Sequence, residues 1–299
     1  MPELPEVETI RRGLFECLKE GKAGKVERIK VFERKSFIGE EGEMVGAEVV
    51  GLRRRGKALV FDFSNGKSII THLRMTGQLI FVEGEETEGE TGVVGEEELG
   101  RRFAGGHPND NFIARLPNKQ TRVEVDFERG KLFFNDQRKF GFFKVVRTEG
   151  VEKDSFISRL AKEPWEMTGE ELYEKLKRKK SAIKTVILDQ EVICGLGNIY
   201  ADETLFEAGI SPTRKAEEVS LEEAEKIVKC ARKVMERSLE AGGSTIRNYV
   251  KADGTKGDYL ELFAKVFNRE GKKCERCGGE ILKMKVGGRG THYCRRCQK

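Results

Sequence analysis

The sequence predicts an α+β protein: an opening helix with a β-sandwich, then a helical domain, then a small cysteine-rich β-hairpin module. Three patterns carry this. Apolar residues recur at spacings of three and four at the start and again after about Arg147, they alternate between about Lys25 and Arg147, and four of the seven cysteines cluster at the end. With 299 residues, the chain is long enough for two domains that each bury a core, plus a small extra module.

From Glu3 to Lys19, Leu4, Val7, Ile10, Leu14 and Leu18 form one apolar stripe, with Pro2 and Pro5 where a helix tolerates proline. The runs VERIKVF, ALVFDF, SIITHL, QLIFV, VEVDF and GFFKVV then alternate between NG and RG turn signals, as strands of a sandwich or flattened barrel do. Beyond Arg147, EELYEKLKRKK, SAIKTVILD, NIYADETLFEAG and LEEAEKIVKCARKVMERSLEAGG return to helical spacing. The expected domains are residues 1–147, 148–262 and 263–299, with an acidic insertion at about 83–107 and a Gly-rich loop at about 243–262.

Charge is unevenly spread. Residues 270–299 hold nine Lys/Arg against three Glu, a surface that seeks a polyanion, whereas 83–98 hold eight Glu and no basic residue and read as a solvated loop. Without those eight carboxylates the net charge of +5 would be +13, which fits a phosphate-rich partner. No run of 18 apolar residues exists, and MPELPEVETI has neither the lysines nor the greasy stretch of a signal peptide, so a soluble cytoplasmic protein without a membrane partner is expected.

Cys274-x2-Cys277, sixteen residues, then Cys294-x2-Cys297 is four-thiolate spacing for one structural Zn2+, since no βαβ context surrounds either pair as a redox motif requires. His292 stands two residues before Cys294 and is expected to point away. ILKMKV and THYC read as strands joined by Gly287-Gly288-Arg289-Gly290, which puts Arg289 at a hairpin tip, either bridging phosphates or simply solvated. Cys17, Cys194 and Cys230 have no ligand spacing.

Met1 before a small residue is normally removed, which would expose Pro2 as a secondary amine. An α-amino group, with a pKa near ~8, is partly neutral and nucleophilic at pH 7. Attack of such an amine on a sugar C1′ gives an obligatory cationic iminium that acidifies C2′ and leads to loss of the 3′ phosphate. Glu3 is placed to protonate the ring oxygen and Glu6 to orient the amine or a water. Both are equally read as carboxylates favoured by a helix N-terminus.

Pro2-Glu3-Leu4-Pro5-Glu6-Val7-Glu8-Thr9 resembles the N-terminal signature of formamidopyrimidine-DNA glycosylases, and further matches run along nearly the whole chain: His72-Leu73-Arg74-Met75-Thr76-Gly77, Asp136-Gln137-Arg138-Lys139-Phe140-Gly141, Gly195-Leu196-Gly197-Asn198-Ile199-Tyr200-Ala201, and the cysteine module. The resemblance implies a β-sandwich domain, a helix-two-turn-helix domain with a lesion-capping loop at about 243–262, and a zinc finger. It implies a monomer acting on double-stranded DNA that contains oxidised purines or abasic sites, nucleoid-associated in a bacterium, and base excision followed by β,δ-elimination.

By motif position the resemblance makes Pro2 the Schiff-base nucleophile, Glu3 the acid, Lys57 the lysine used in elimination, and Arg289 the group for the second elimination. Met75, Arg138 and Phe140 would fill the space left by the everted nucleotide, although spacing alone makes Met75 and Phe140 core residues. Phosphate contacts would fall to His72, Lys179 and Asn198, the last in a Gly-rich turn that presents free amides to an anion. Lys179 is also readable as one more solvated charge. The chain departs from the family at Gln137 and Lys139, where Pro and a second Arg are usual, and at Gln120, where a histidine lies near DNA.

Two other readings remain. Endonuclease VIII, in the same superfamily, removes oxidised pyrimidines with the same amine; Leu4-Pro5 and the 243–262 loop favour the purine branch. A non-catalytic binder of damaged DNA would show salt-dependent affinity and no product.

Overall fold

The computed structural model describes residues 2–84, 94–95, 97, 99, 101–107, 109–242 and 263–299. The expected capping loop at 243–262 and most of the 83–98 loop lie outside the described residues. The chain divides into two units, one with Pro2 and Glu6–Ser158, the other with Glu3–Pro5, 159–242 and 263–299 among the described residues.

Helix α1 (Leu4–Leu18) opens the fold and buries its apolar stripe completely: Leu4, Val7, Ile10, Leu14 and Leu18 are all at most 1 % exposed. Among the described residues of the first unit, ten strands form two five-stranded sheets. These are β1 (Val26–Val31), β2 (Phe37–Ile38), β3 (Val49–Arg55), β4 (Ala58–Phe63), β5 (Lys67–His72), β6 (Gly77–Glu83), β7 (Arg102–Gly106), β8 (Thr121–Phe127), β9 (Gly130–Asp136) and β10 (Phe142–Arg147). One sheet runs β1-β8-β9-β6-β7 and the other β2-β10-β5-β4-β3. Strand alternation turns Phe61, Leu79, Phe81, Val123, Val125, Phe134 and Phe143 into one core with Val7 and Ile10 of α1.

Part of the span expected as acidic insertion, about 83–107, is sheet: Arg102–Gly106 pair with β6 from Gln78↔Gly106 to Val82↔Arg102. RFAGG lacks β-branched residues, and cross-strand pairing overrides its weak propensity. The first unit continues to Ser158 because the segment after β10 packs back on the sheet: Lys144 holds Asp154 at 2.5 Å, and Phe156 meets the His72 ring edge-on at 5.4 Å.

The second unit is helical, with α2 (Gly169–Leu176), α3 (Ile183–Ile187), α4 (Asn198–Ala208) and α5 (Leu221–Glu240). Capping boxes start α2 at Thr168/Glu171 and α5 at Ser220/Glu223, so these helices begin where side chains satisfy their first N–H groups. Leu172, Ile187, Tyr200, Leu205, Ile227 and Val234 fill the core, and Leu4 belongs to it. Strands β11 (Leu282–Val286) and β12 (Arg289–Tyr293) form the terminal hairpin.

Candidate active site

In the first unit, three predicted residues, Met75, Arg138 and Phe140, gather where the chain crosses between the sheets. β5 crosses to β6 through 73–76 and β9 crosses back to β10 through 137–141; the registers Gly77↔Asp136 and Phe142↔His72 hold these two turns side by side. Met75 is half-buried in the first turn, whereas Arg138 and Phe140 stand exposed on the second, Phe140 at 58 %. The Arg138 guanidinium sits 5.1 Å from the centre of the Phe140 ring. Core burial, the reading that spacing gave Phe140, is therefore overturned.

His72 ends β5 and is buried, opposite Ala58, the residue after Lys57. Burial, reinforced by the fields of Arg74 and Lys57, pulls its imidazole down to about 3, so it is neutral at physiological pH. Its Nδ1 accepts the Arg74 N–H at 2.9 Å, which assigns the proton to Nε2. The imidazole is thus a neutral N–H donor. Lys57 is buried in the two-residue turn between β3 and β4, Glu6 is buried, and so is Pro2.

Gln120, expected beside DNA, sits in a network of amides. Its Oε1 accepts from Asn111 Nδ2 at 2.8 Å, and Asn111 also donates to Gln78 at 2.9 Å. Its carboxamide carbonyl thus already has a donor from its own fold.

In the second unit, Glu3 occupies the N-terminus of α4. Its Oε1 accepts the Ile199 N–H at 3.0 Å and its Oε2 the Tyr200 N–H at 3.4 Å. Gly197, at the cap position, has no side chain to do this, and a Cβ there would overlap the Glu3 carboxylate. A residue remote in sequence therefore supplies the cap. The carboxylate thus takes the N–H groups of Ile199 and Tyr200, two of those at the start of the helix. Asn198 donates through Nδ2 to the Gly290 carbonyl at 3.1 Å and so holds the terminal hairpin.

Lys179, the lysine singled out in KRKKSAIK, lies exposed after α2, whereas Lys184 is fully buried. Lys184 Nζ contacts Asp202 Oδ1 at 2.7 Å, Thr291 Oγ1 at 2.7 Å and the Gly290 carbonyl at 3.1 Å. Burial pulls its amine below the usual lysine range, as does Arg289, while Asp202 and Glu3 oppose this. Asp202 Oδ2 in turn accepts the His292 N–H at 2.8 Å. Sequence reasoning missed this pair, yet a signal was present: one lysine inside the apolar run AIKTVI. Arg289 is exposed at the start of β12, just past a Gly287–Gly288 turn in which both residues have positive φ, so it flanks the tip rather than crowning it.

The ligand atoms of Cys274, Cys277, Cys294 and Cys297 all lie within 4.8 Å of one another. The Sγ separations of 3.8 Å (Cys274–Cys297) and 3.5 Å (Cys277–Cys294) match the edge of about 3.8 Å for a tetrahedron with Zn–S bonds of ~2.3 Å. Phe206, Val266 and Ile281 pack around the cluster. His292 is outside it, with its backbone on Asp202 and its ring against Phe267 at 5.1 Å.

Residues 1–143 match the formamidopyrimidine-DNA glycosylase N-terminal domain, 160–250 its H2TH domain, and 271–299 the zinc finger found in FPG and IleRS. The formamidopyrimidine-DNA glycosylase of Exiguobacterium sp. is 38 % identical over 308 residues, with both chains covered completely. The chain belongs to the formamidopyrimidine-DNA glycosylase family. That of Carboxydothermus hydrogenoformans is also 38 % identical with both chains fully covered. A point mutant of Lactococcus lactis FPG in complex with Fapy-dG DNA superposes with a TM-score of 0.82 at 30 % identity, and L. lactis Fpg with abasic-site DNA at 0.81 and 29 %, each covering 100 % of both chains. Membership makes the chain a DNA glycosylase of base excision repair with one structural zinc site. Among the described residues no helix is long and apolar enough to cross a membrane.

Proposed function

We propose that this glycosylase excises oxidised purines, 8-oxoguanine and formamidopyrimidines, from double-stranded DNA and then cuts the strand at the resulting abasic site. The observation that carries this reading is the fixed position of Glu3, the residue after Pro2, with both carboxylate oxygens held on the α4 N-terminus. With Met1 removed, the Pro2 amine attacks C1′ and the base departs, taking up a proton from water. The N–H proton of the ammonium so formed passes to the Glu3 carboxylate and from it to the ring oxygen, which opens the sugar. Because the amine is secondary, the opened sugar is left as a cationic iminium at C1′. Loss of a C2′ proton, the step given to Lys57, expels the 3′ phosphate, and a second elimination assisted by Arg289 expels the 5′ phosphate. Water then hydrolyses the iminium and restores the amine.

Met75, Arg138 and Phe140 enter the duplex where the damaged nucleotide leaves it, which offsets the few kcal/mol of lost stacking. His72 offers a phosphate its neutral Nε2–H, and the exposed Lys179 adds a screened charge. The complexes of the L. lactis enzyme with Fapy-dG and abasic-site DNA support this substrate class. One set of these residues per chain makes a monomer sufficient.

The test is a comparison of matched duplexes that carry 8-oxoguanine or thymine glycol. The proposal expects faster release of 8-oxoguanine and a one-nucleotide gap with phosphate at both ends. Preference for thymine glycol would assign the endonuclease VIII reaction instead, and binding without any product would assign a binder.

A further inference from the structure

Three non-glycine residues among those described have positive φ: Arg74 at +53°, Lys139 at +58° and Asn268 at +58°. Two of the three fall in the paired crossing turns, directly beside Met75 and between Arg138 and Phe140. A left-handed backbone is unfavourable for a residue with a Cβ and persists only where its surroundings enforce it. The surroundings here can be named. The Arg74 N–H is held by His72 Nδ1, and its guanidinium lies 5.8 and 5.7 Å from the ring centres of Phe142 and Phe156. Lys139 Nζ is held by Glu33 at 2.6 Å.

One buried carboxylate joins the two turns. Asp136, the last residue of β9, is 1 % exposed. Its Oδ1 accepts the Thr76 hydroxyl and the Arg138 N–H at 3.1 Å. Its Oδ2 accepts the N–H groups of Phe140 at 2.8 Å and Gly141 at 2.7 Å. The Arg138 N–H is shared with Thr76 Oγ1 at 3.0 Å, which closes the link between the turns. A carboxylate supplies two oxygens that both accept; an asparagine would aim an NH2 at two of these donors.

We propose that Asp136 is a positioning residue that binds the Met75 turn and the Arg138–Phe140 turn into one preorganised wedge, and thereby sets how readily an oxidised base leaves the helix. This rests on the insertion role given to those three residues above. A wedge ordered in advance loses less freedom on entering DNA than loops that must order there. The benefit applies when a stacked base has to be everted. A preformed abasic site has no base to unstack, so strand cutting there depends on the wedge much less.

The experiment compares wild type with Asp136→Asn and Thr76→Val, the latter deleting only the hydroxyl between the turns. Single-turnover release of 8-oxoguanine from duplex DNA is measured beside cleavage of the same duplex with a preformed abasic site. A 2-aminopurine next to the lesion reports eversion. With a preorganised wedge, base release falls roughly tenfold or more in Asp136→Asn, by the 1.4 kcal/mol per decade of rate, and by a smaller factor in Thr76→Val. Abasic cleavage stays within about threefold and the fluorescence rise slows with base release. If Asp136→Asn does not fold, Thr76→Val alone decides by the same split. Equal slowing of both reactions, or unchanged base release, overturns the inference while leaving the enzyme's function intact. A wild type inactive on both duplexes overturns the functional proposal and this inference with it.

Discussion

The Glu3 carboxylate accepts the backbone N–H of Ile199 at 3.0 Å, so a residue beside the start of the chain caps a helix from the middle of it. Both oxygens are engaged, which fixes the plane of the carboxyl group. Glu3→Gln keeps the size but loses the acid and turns one acceptor oxygen into an NH2 beside the helix N–H groups. It is expected to slow base release by about 10²- to 10⁴-fold, the usual range for a general acid. Equilibrium affinity for lesion DNA should change little, and equal turnover by the two proteins would remove Glu3 from the chemistry.

The Lys184–Asp202 pair is buried at both ends, 2.7 Å apart, and Lys184 also holds the hairpin through Thr291 and the Gly290 carbonyl. Removing one member strands a buried charge, which costs about 3–5 kcal/mol. Lys184→Met is therefore expected to lower the urea midpoint strongly, and Lys184→Met with Asp202→Leu to recover much of the loss. A single variant as stable as wild type would contradict the account of this pair.

How much of this was legible beforehand differs by kind of contact. Periodicity placed α1 and the strands because Leu4, Val7 and Ile10, or Val123 and Val125, each record their own local burial. CxxC spacing likewise encodes the metal site locally. Glu3 on Ile199 was not legible, because nothing near either residue records a partner so distant in sequence. The adjacency of the 73–76 and 137–141 turns follows from strand register, and the motif order alone does not contain it. Lys179 came from the resemblance and not from its surroundings, whereas Lys184, alone among Ile183, Val186 and Ile187, was the lysine the core had to accommodate.

Acid sensitivity follows from His72. Its folded value near 3 lies below the ordinary 6.5, so the unfolded chain takes up a proton that the folded chain refuses. That stability is complete above pH 6.5 and is lost as pH falls toward 3, by up to about 1.4 kcal/mol per pH unit. Glu8 acts in a lower window. Burial raises its carboxyl, but hydrogen bonds from Arg11 and Arg12 outweigh this and bring it to about 2, so its contribution is lost only from 4.5 downward. Burial also lowers His107, so the effect of His72 is read by difference. Urea midpoints between pH 6.5 and 4.5 should fall less steeply for His72→Gln than for wild type; parallel slopes would contradict a neutral buried imidazole.

The nucleophile is tested most directly by borohydride trapping. Processed enzyme is incubated with 8-oxoguanine duplex and reductant, and the adduct is digested and mapped by mass spectrometry. The account predicts a reduced sugar on the Pro2 nitrogen of a chain that has lost Met1. Active enzyme that retains Met1, or a sugar attached through any other side chain, would contradict it.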